Sequence, residues 1–271
     1  MNNSWLFRFS ILLSIAFLFV LTLGAVVTDQ FSMTPASAAG STAFAIHRHA
    51  AETVGLLVLA LAIWVTFGGS GQSMAKKLAW SAVAGVIVEG LLGAASVPLT
   101  PGMAFVHAFF AQIVFGMVIA VTVLTWPRWC EAPTPLADKG WPSLRGLSRN
   151  TVVLFVIQVI LGAAFRHGLA GVLWHILGAF LVVLFGVGLL VLLTQTQGGQ
   201  SLRPAVITLG VLLGVQVTLG MVLISISDQS KHPELVLYST AAHVLTGAST
   251  FAVTILTTMM IWRNVGAAKA A

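Results

Sequence analysis

The sequence predicts an all-α membrane protein, with eight transmembrane helices in two pseudo-repeated four-helix halves. Three observations carry that prediction. The first is composition: 58% of the 271 residues are hydrophobic and 7% are charged, where soluble domains carry roughly 25% charge. That excludes a soluble enzyme. The second is a series of eight apolar stretches, each close to the ~20 residues needed to cross a bilayer. The third is a repeat. Leu-Gly pairs stand at Leu23-Gly24, Leu92-Gly93, Leu161-Gly162 and Leu219-Gly220, with glycines 69, 69 and 58 residues apart. Each pair is followed by a histidine near the start of the next apolar stretch: His47, His107, His175 and His243, spaced 60, 68 and 68 residues. A fixed period of this kind marks a helix hairpin used four times.

The stretches run over residues 8–27, 49–68, 79–97, 104–125, 151–166, 172–194, 204–226 and 240–262. Inside lipid each must pair its own backbone groups, so each is expected to be a helix. The first invites a second reading, because Arg8, an apolar run and Ala36-Ser37-Ala38-Ala39 resemble a secretory signal with its cleavage site. Its run is longer than the ~7–15 residues of a signal core, and it carries the Leu23-Gly24 pair, so it is expected to remain as helix one. Breaks at Gly69-Ser70-Gly71-Gln72 and Gln195-Thr196-Gln197-Gly198-Gly199 end the second and sixth stretches. The longest break, Trp126 to Asn150, holds four prolines. It divides the chain into an N-terminal half (1–126), a cytoplasmic linker loop (127–150) and a C-terminal half (151–271).

The net charge of +6 reads as topology. With the N-terminus inside, Arg8, Lys76, Lys77, Arg128, Lys139, Arg145, Arg149, Arg203, Arg263 and Lys269 lie on the inner side, and Arg48, Arg166 and Lys231 outside. That bias predicts an integral protein of the inner (plasma) membrane with both termini cytoplasmic. A basic face against anionic lipid accounts for the excess, with no nucleic acid involved. The single cysteine, Cys130, lies in the inner loop and excludes an intrachain disulfide.

This topology brings all seven histidines to the outer face. Neutral imidazole is a strong iron ligand, and bundle cores build cofactor sites from facing helices. Two repeat histidines per half suit one six-coordinate heme iron in each half. A zinc site lacks its signature, since there are no cysteine pairs and no closely spaced histidines. The glycines by themselves read as helix packing. Four residues before them, however, stand Glu89, Gln158 and Gln216, with Val20 in helix one. Glu89 is costly in mid-span unless paired, and Glu52, one turn beyond His49, can orient a ring nitrogen. Both acids are also what a proton-coupled carrier would use. Arg48 and Arg166 close helices at the outer face, where guanidinium can clasp a heme propionate or reach to headgroups.

The run His47-Arg48-His49-Ala50-Ala51-Glu52-Thr53-Val54-Gly55 resembles the opening of the second helix in the heme A synthase family. Leu161-Gly162-Ala163-Ala164-Phe165-Arg166-His167-Gly168-Leu169-Ala170 is similar to that family's stretch at the end of helix five. The resemblance spans nearly the whole chain. It implies oxidation of the methyl group of heme O to the formyl of heme A for terminal oxidases. It further implies a heme b held by His175 and His243, with His47 and His107 flanking the heme O substrate. The implied partners are a heme O synthase, an electron donor in the membrane and the bilayer itself. The family usually carries a glutamate three residues before the helix-two histidine, where this chain has Phe44. Either Glu89 or Glu52 takes over as the catalytic acid, or the oxidation is lost. The alternative is a non-catalytic heme-binding membrane cytochrome or a terminal-oxidase assembly factor.

Overall fold

Over its described residues each apolar stretch folds as a helix, which pairs backbone groups within the segment as the absence of water in a bilayer core demands. The computed structural model describes residues 4–34, 40–68, 72–94, 100–138, 140–226 and 232–270, with side chains through Val265. Within them lie eight long helices: α1 (Ser4–Met33), α2 (Thr42–Phe67), α3 (Ser73–Ala94), α4 (Pro101–Thr125), α5 (Leu144–Arg166), α6 (Val172–Gln195), α7 (Arg203–Ser225) and α8 (Pro233–Ala270). All eight are long and apolar enough to span a membrane. The Ala36–Ala39 stretch, the Gly69–Gly71 break, Lys139, Lys231 and the Lys269 side chain lie outside the described residues.

Several helices start earlier than the apolar pattern predicts, because capping residues are polar and carry no hydropathy signal. Ser41 accepts a hydrogen bond from Phe44 N (3.2 Å) and starts α2 at Thr42, not near residue 49. His47 and His49 therefore lie inside the helix rather than at its mouth. Ser143 accepts from Gly146 N (3.0 Å), and Asp138 Oδ1 accepts from Leu144 N (2.6 Å), so α5 begins at Leu144. The linker is thus shorter than the expected 127–150, and its last seven positions (144–150) are helical. α8 opens at Pro233-Glu234, well before the expected residue 240.

Helices α1 to α4 close a ring through the pairs α1–α2, α2–α3, α3–α4 and α1–α4. Helices α5 to α8 close another through α5–α6, α6–α7, α7–α8 and α5–α8. The rings meet where α8 packs on α1 and α4, and α4 packs on α5. Leu13, Val58, Leu61, Val65, Phe115 and Val118 centre the first core, and Leu144, Phe155, Leu189, Leu209 and Ile261 the second. Leu136 of the linker is fully buried in the second core, and its N–H donates to Asn264 O (3.3 Å). At the seam Gly116 lets Phe251 come close, and Phe251 stacks on Phe155 with centroids 5.5 Å apart. Hydroxyls bind α1 to α4, with Ser10 to Thr125 and Ser14 to Thr122 each at 3.1 Å, a common source of attraction between helices in lipid. Large apolar side chains such as Leu56, Leu91, Phe180 and Val211 point outward, as a lipid-facing surface requires.

Candidate functional site

The two halves of the sequence repeat meet in space. Each Leu-Gly glycine faces the histidine that follows it one loop later. A Cβ added to Gly162 would lie 2.9 Å from His175 Cε1, and one on Gly24 would lie 3.2 Å from His47 Cε1. At Gly220 the distance to His243 Cε1 would be 3.5 Å, and at Gly93 the distance to His107 Cε1 would be 3.7 Å. The glycines are therefore seats for imidazoles, in α1–α2, α3–α4, α5–α6 and α7–α8 alike. Local structure sets the register. After α5, Leu169 N donates to Ala164 O (2.8 Å), and Gly168 takes φ +71°, a left-handed turn that suits glycine. Gly171 then caps α6, which puts His175 in its first turn, across from Gly162.

One helical turn before each seat, the polar residues aligned in the sequence reach the same rings. Glu89 Oε2 lies 2.6 Å from His107 Nδ1, with neither group aligned for a hydrogen bond. Gln158 Nε2 lies 3.0 Å from His175 Nδ1 and also donates to the His175 carbonyl (3.0 Å). Gln216 Nε2 lies 3.0 Å from His243 Nε2. Val20 offers His47 no side-chain partner; the Val20 backbone lies beside the ring without an aligned bond.

Within the second ring of helices two imidazoles approach one another. His175 and His243 have centroids 6.2 Å apart at 70°, and Phe165 stacks on His175 at 6.4 Å. His47 and His107 are close enough to interact electrostatically. Among the described residues no group of three or more His, Cys, Asp or Glu forms a metal site. If a heme were bound here, His175 and His243 would hold its iron through neutral imidazole nitrogens. His47 Nδ1 and His243 Nδ1 are buried with no hydrogen-bond partner, as nitrogens kept for a ligand would be. The residues present fit the group.

Arg166 turns from this pair to the other half. Its guanidinium donates to Asp29 Oδ1 (2.7 Å) and to Ala25 O (2.6 Å) of α1. Asp29, 7% exposed, carries no part in the sequence reading; its signal is an acid five residues after Gly24, at the register His167 holds after Gly162. His167, in the turn after α5, has its pKa pushed down to about 4 by burial first, then by Arg166 and His107. Arg48 is exposed. Glu52 pairs with His49 Nδ1 at 3.3 Å, but their side chains are 61% and 80% exposed. Five residues on from His47, Glu52 points about 140° around α2 from it. Phe44 packs edge-on against Phe31 of α1, with centroids 5.8 Å apart. Two open clefts, of about 570 Å³ beside Trp129 and Trp262 and about 300 Å³ beside Asp138 and Gln195, lie at the opposite end and touch no histidine.

Residues 43–176 match the model of the COX15-CtaA family, described as cytochrome oxidase assembly protein. Among curated proteins the chain has no match. The matched segment runs from the first turn of α2 to the first turn of α6 and contains three of the four repeat histidines and two of the four glycine seats. Residues 43–176 are thus similar to the COX15-CtaA family of cytochrome oxidase assembly proteins, within a chain whose eight helices are long and apolar enough to cross a membrane.

Proposed function

We propose that this protein is a heme A synthase-type oxidoreductase that converts the methyl group of heme O to the formyl of heme A. The observation that carries the reading is the fourfold seating of a histidine on a glycine, with His175 and His243 gathered as a pair. His175 and His243 hold heme b in the C-terminal half, while His47 and His107 flank the substrate heme O. Bound heme supplies the one-electron and oxygen chemistry. The chain's own residues bind, orient and handle protons. His175 is backed by Gln158 and Phe165, which favours permanent retention. His47 has no polar side chain behind it, which favours a site that exchanges its occupant.

Of the two acids, Glu89 is the one beside a seated histidine, and it serves the reaction through His107. Glu52 stands with His49 on the exposed flank. Arg48, at the exposed start of α2, is free to meet a propionate, whereas Arg166 reaches one only by sharing its guanidinium with Asp29. A heme O synthase and a membrane electron donor are the implied partners, in the inner membrane.

A second reading, a non-catalytic heme-binding cytochrome or assembly factor, is favoured by Phe44, which offers hydrocarbon where the family usually carries an acid. Heme extraction separates the two. After co-expression with a heme O synthase, the purified protein is expected to yield heme A or its hydroxylated precursor beside heme B. Glu89→Gln should remove the oxidised product and leave heme B. Heme B and heme O alone, in wild type, would move the protein to the second reading.

A further inference from the structure

The glutamines behind His175 and His243 are seated as carefully as the histidines. On α6, a Cβ at Gly178 would overlap Gln158 Oε1. On α8, a Cβ at Gly247 would lie 3.0 Å from Gln216 Nε2. Each hairpin of the C-terminal half therefore interlocks in both directions. The odd helix gives a glycine to the imidazole, and the even helix gives a glycine to the amide. Glutamine is long, flexible and expensive to immobilise in an apolar span. A residue kept there only to fill space would not need to be an amide.

We propose that Gln158 and Gln216 are positioning residues that fix the ring orientation and the proton-bearing nitrogen of His175 and His243. Each imidazole then presents one defined lone pair to a heme iron shared by the two. The inference rests on the heme reading above and adds how the ligands are tuned. In neutral imidazole one nitrogen carries hydrogen and the other is free to bind metal, so whichever group pairs with the first selects the second. Gln158 Nε2 lies 3.0 Å from Nδ1 and 3.5 Å from Nε2 of His175, and Gln216 contacts Nε2 of His243, which leaves His243 Nδ1 buried and unpaired. Both amides have the means to accept as well as donate. Oε1 of Gln158 and Oε1 of Gln216 are buried with no partner. At Gln216 a half-turn of the amide brings that oxygen onto the ring N–H, which satisfies the orphan and makes the imidazole a stronger donor to metal, whereas Gln158 stays anchored through its Nε2 donation to the His175 carbonyl and fixes the ring from there.

Carboxylate for amide is the isosteric test. Both Gln158→Glu and Gln216→Glu keep the shape in the glycine notch; Gln216→Glu puts a stronger acceptor against the ring, and Gln158→Glu also removes the donor to the His175 carbonyl. With intact protein in detergent, redox titration of the b-type absorbance is expected to show the ferric form favoured about tenfold in Gln216→Glu. That corresponds to a midpoint potential about 59 mV more negative for a one-electron couple. Gln158→Leu and Gln216→Leu remove the partner and free the ring. They are expected to broaden or split the low-spin electron paramagnetic resonance signal and to speed loss of pigment on dialysis. If the Glu variants fail to accumulate, the Leu pair decides through the resonance signal. A pigmented wild type whose potential and resonance are unmoved in every variant obtained would overturn this inference alone. A colourless wild type would overturn the heme reading, and this one with it.

Discussion

At the scale of single residues, the four glycine seats differ in tightness, and that difference makes a test. An alanine at 162 would press its Cβ to 2.9 Å from His175 Cε1, whereas at 93 the contact with His107 would be an ordinary 3.7 Å. His175 cannot readily yield, because Gln158 holds its Nδ1 and Phe165 stacks on its face. Gly162→Ala is therefore expected to reduce bound heme b several-fold and to lower thermal stability by about 1–3 kcal/mol, the usual cost of overpacking. Gly93→Ala should leave both within error; equal damage from the two would show that the seats are generic helix packing. The sequence reading in fact favoured packing, and for a physical reason. A glycine's neighbour is invisible in one dimension, and nothing in the period says that the side chain opposite is the next histidine. His167 offers a second test at this scale. It stays neutral in the folded protein down to about pH 4, while the same group in the unfolded chain protonates near 6.5. Between those values the unfolded chain binds more protons, so stability falls as pH is lowered through that window and is fully present above it. Thermal melts of His167→Gln should show a shallower fall from pH 6.5 to 4 than wild type. Parallel pH curves would mean that His167 contributes nothing to it.

Among elements, the pairing of Arg166 on α5 with Asp29 on α1 stands out, since it joins the two rings near their histidine ends. Their side chains are 19% and 10% exposed, so each charge depends on the other for compensation. Removing one partner of a buried pair costs about 3–5 kcal/mol, while replacing both by neutral groups costs far less. Asp29→Asn and Arg166→Met are expected to destabilise singly by that amount, and the double variant by much less than the sum. Strict additivity in chemical unfolding would mean that the ions are not coupled. The pair also shows what hydropathy and charge counting read poorly. All eight helices were legible, because length and apolarity are one-dimensional properties. Their starts were not, because Ser41, Ser143 and Asp138 act through single hydrogen bonds. Arg166 was legible as important, yet its partner lay 137 positions away in an apolar helix, and only the packing of α5 near α1 brings them together.

For the molecule as a whole, the alternating helices separate two kinds of chemistry. The seats of His47, His107, His175 and His243 share one end, with His167 and His232 in the turns there. Arg8, Lys76, Lys77, Arg128, Arg145, Arg149, Arg203 and Arg263 gather toward the other. Positive residues are retained on the cytoplasmic side during insertion, so the histidine end should face outward and the linker inward. The lone cysteine makes this directly measurable. Cys130 is exposed in the linker and is the only thiol in the chain. A membrane-impermeant thiol reagent applied to right-side-out vesicles should leave Cys130 unlabelled, and the same reagent on inverted vesicles should label it. Leu169, 51% exposed in the turn after α5, supplies the opposite control. In a Cys130→Ser background, Leu169→Cys should react from the outside only. The reverse pattern at both sites would invert the protein, placing every heme ligand proposed here on the cytoplasmic side despite the charge bias. Labelling of both sites from one side would contradict the odd count of spans between them, α5 being the single crossing that separates position 130 from position 169.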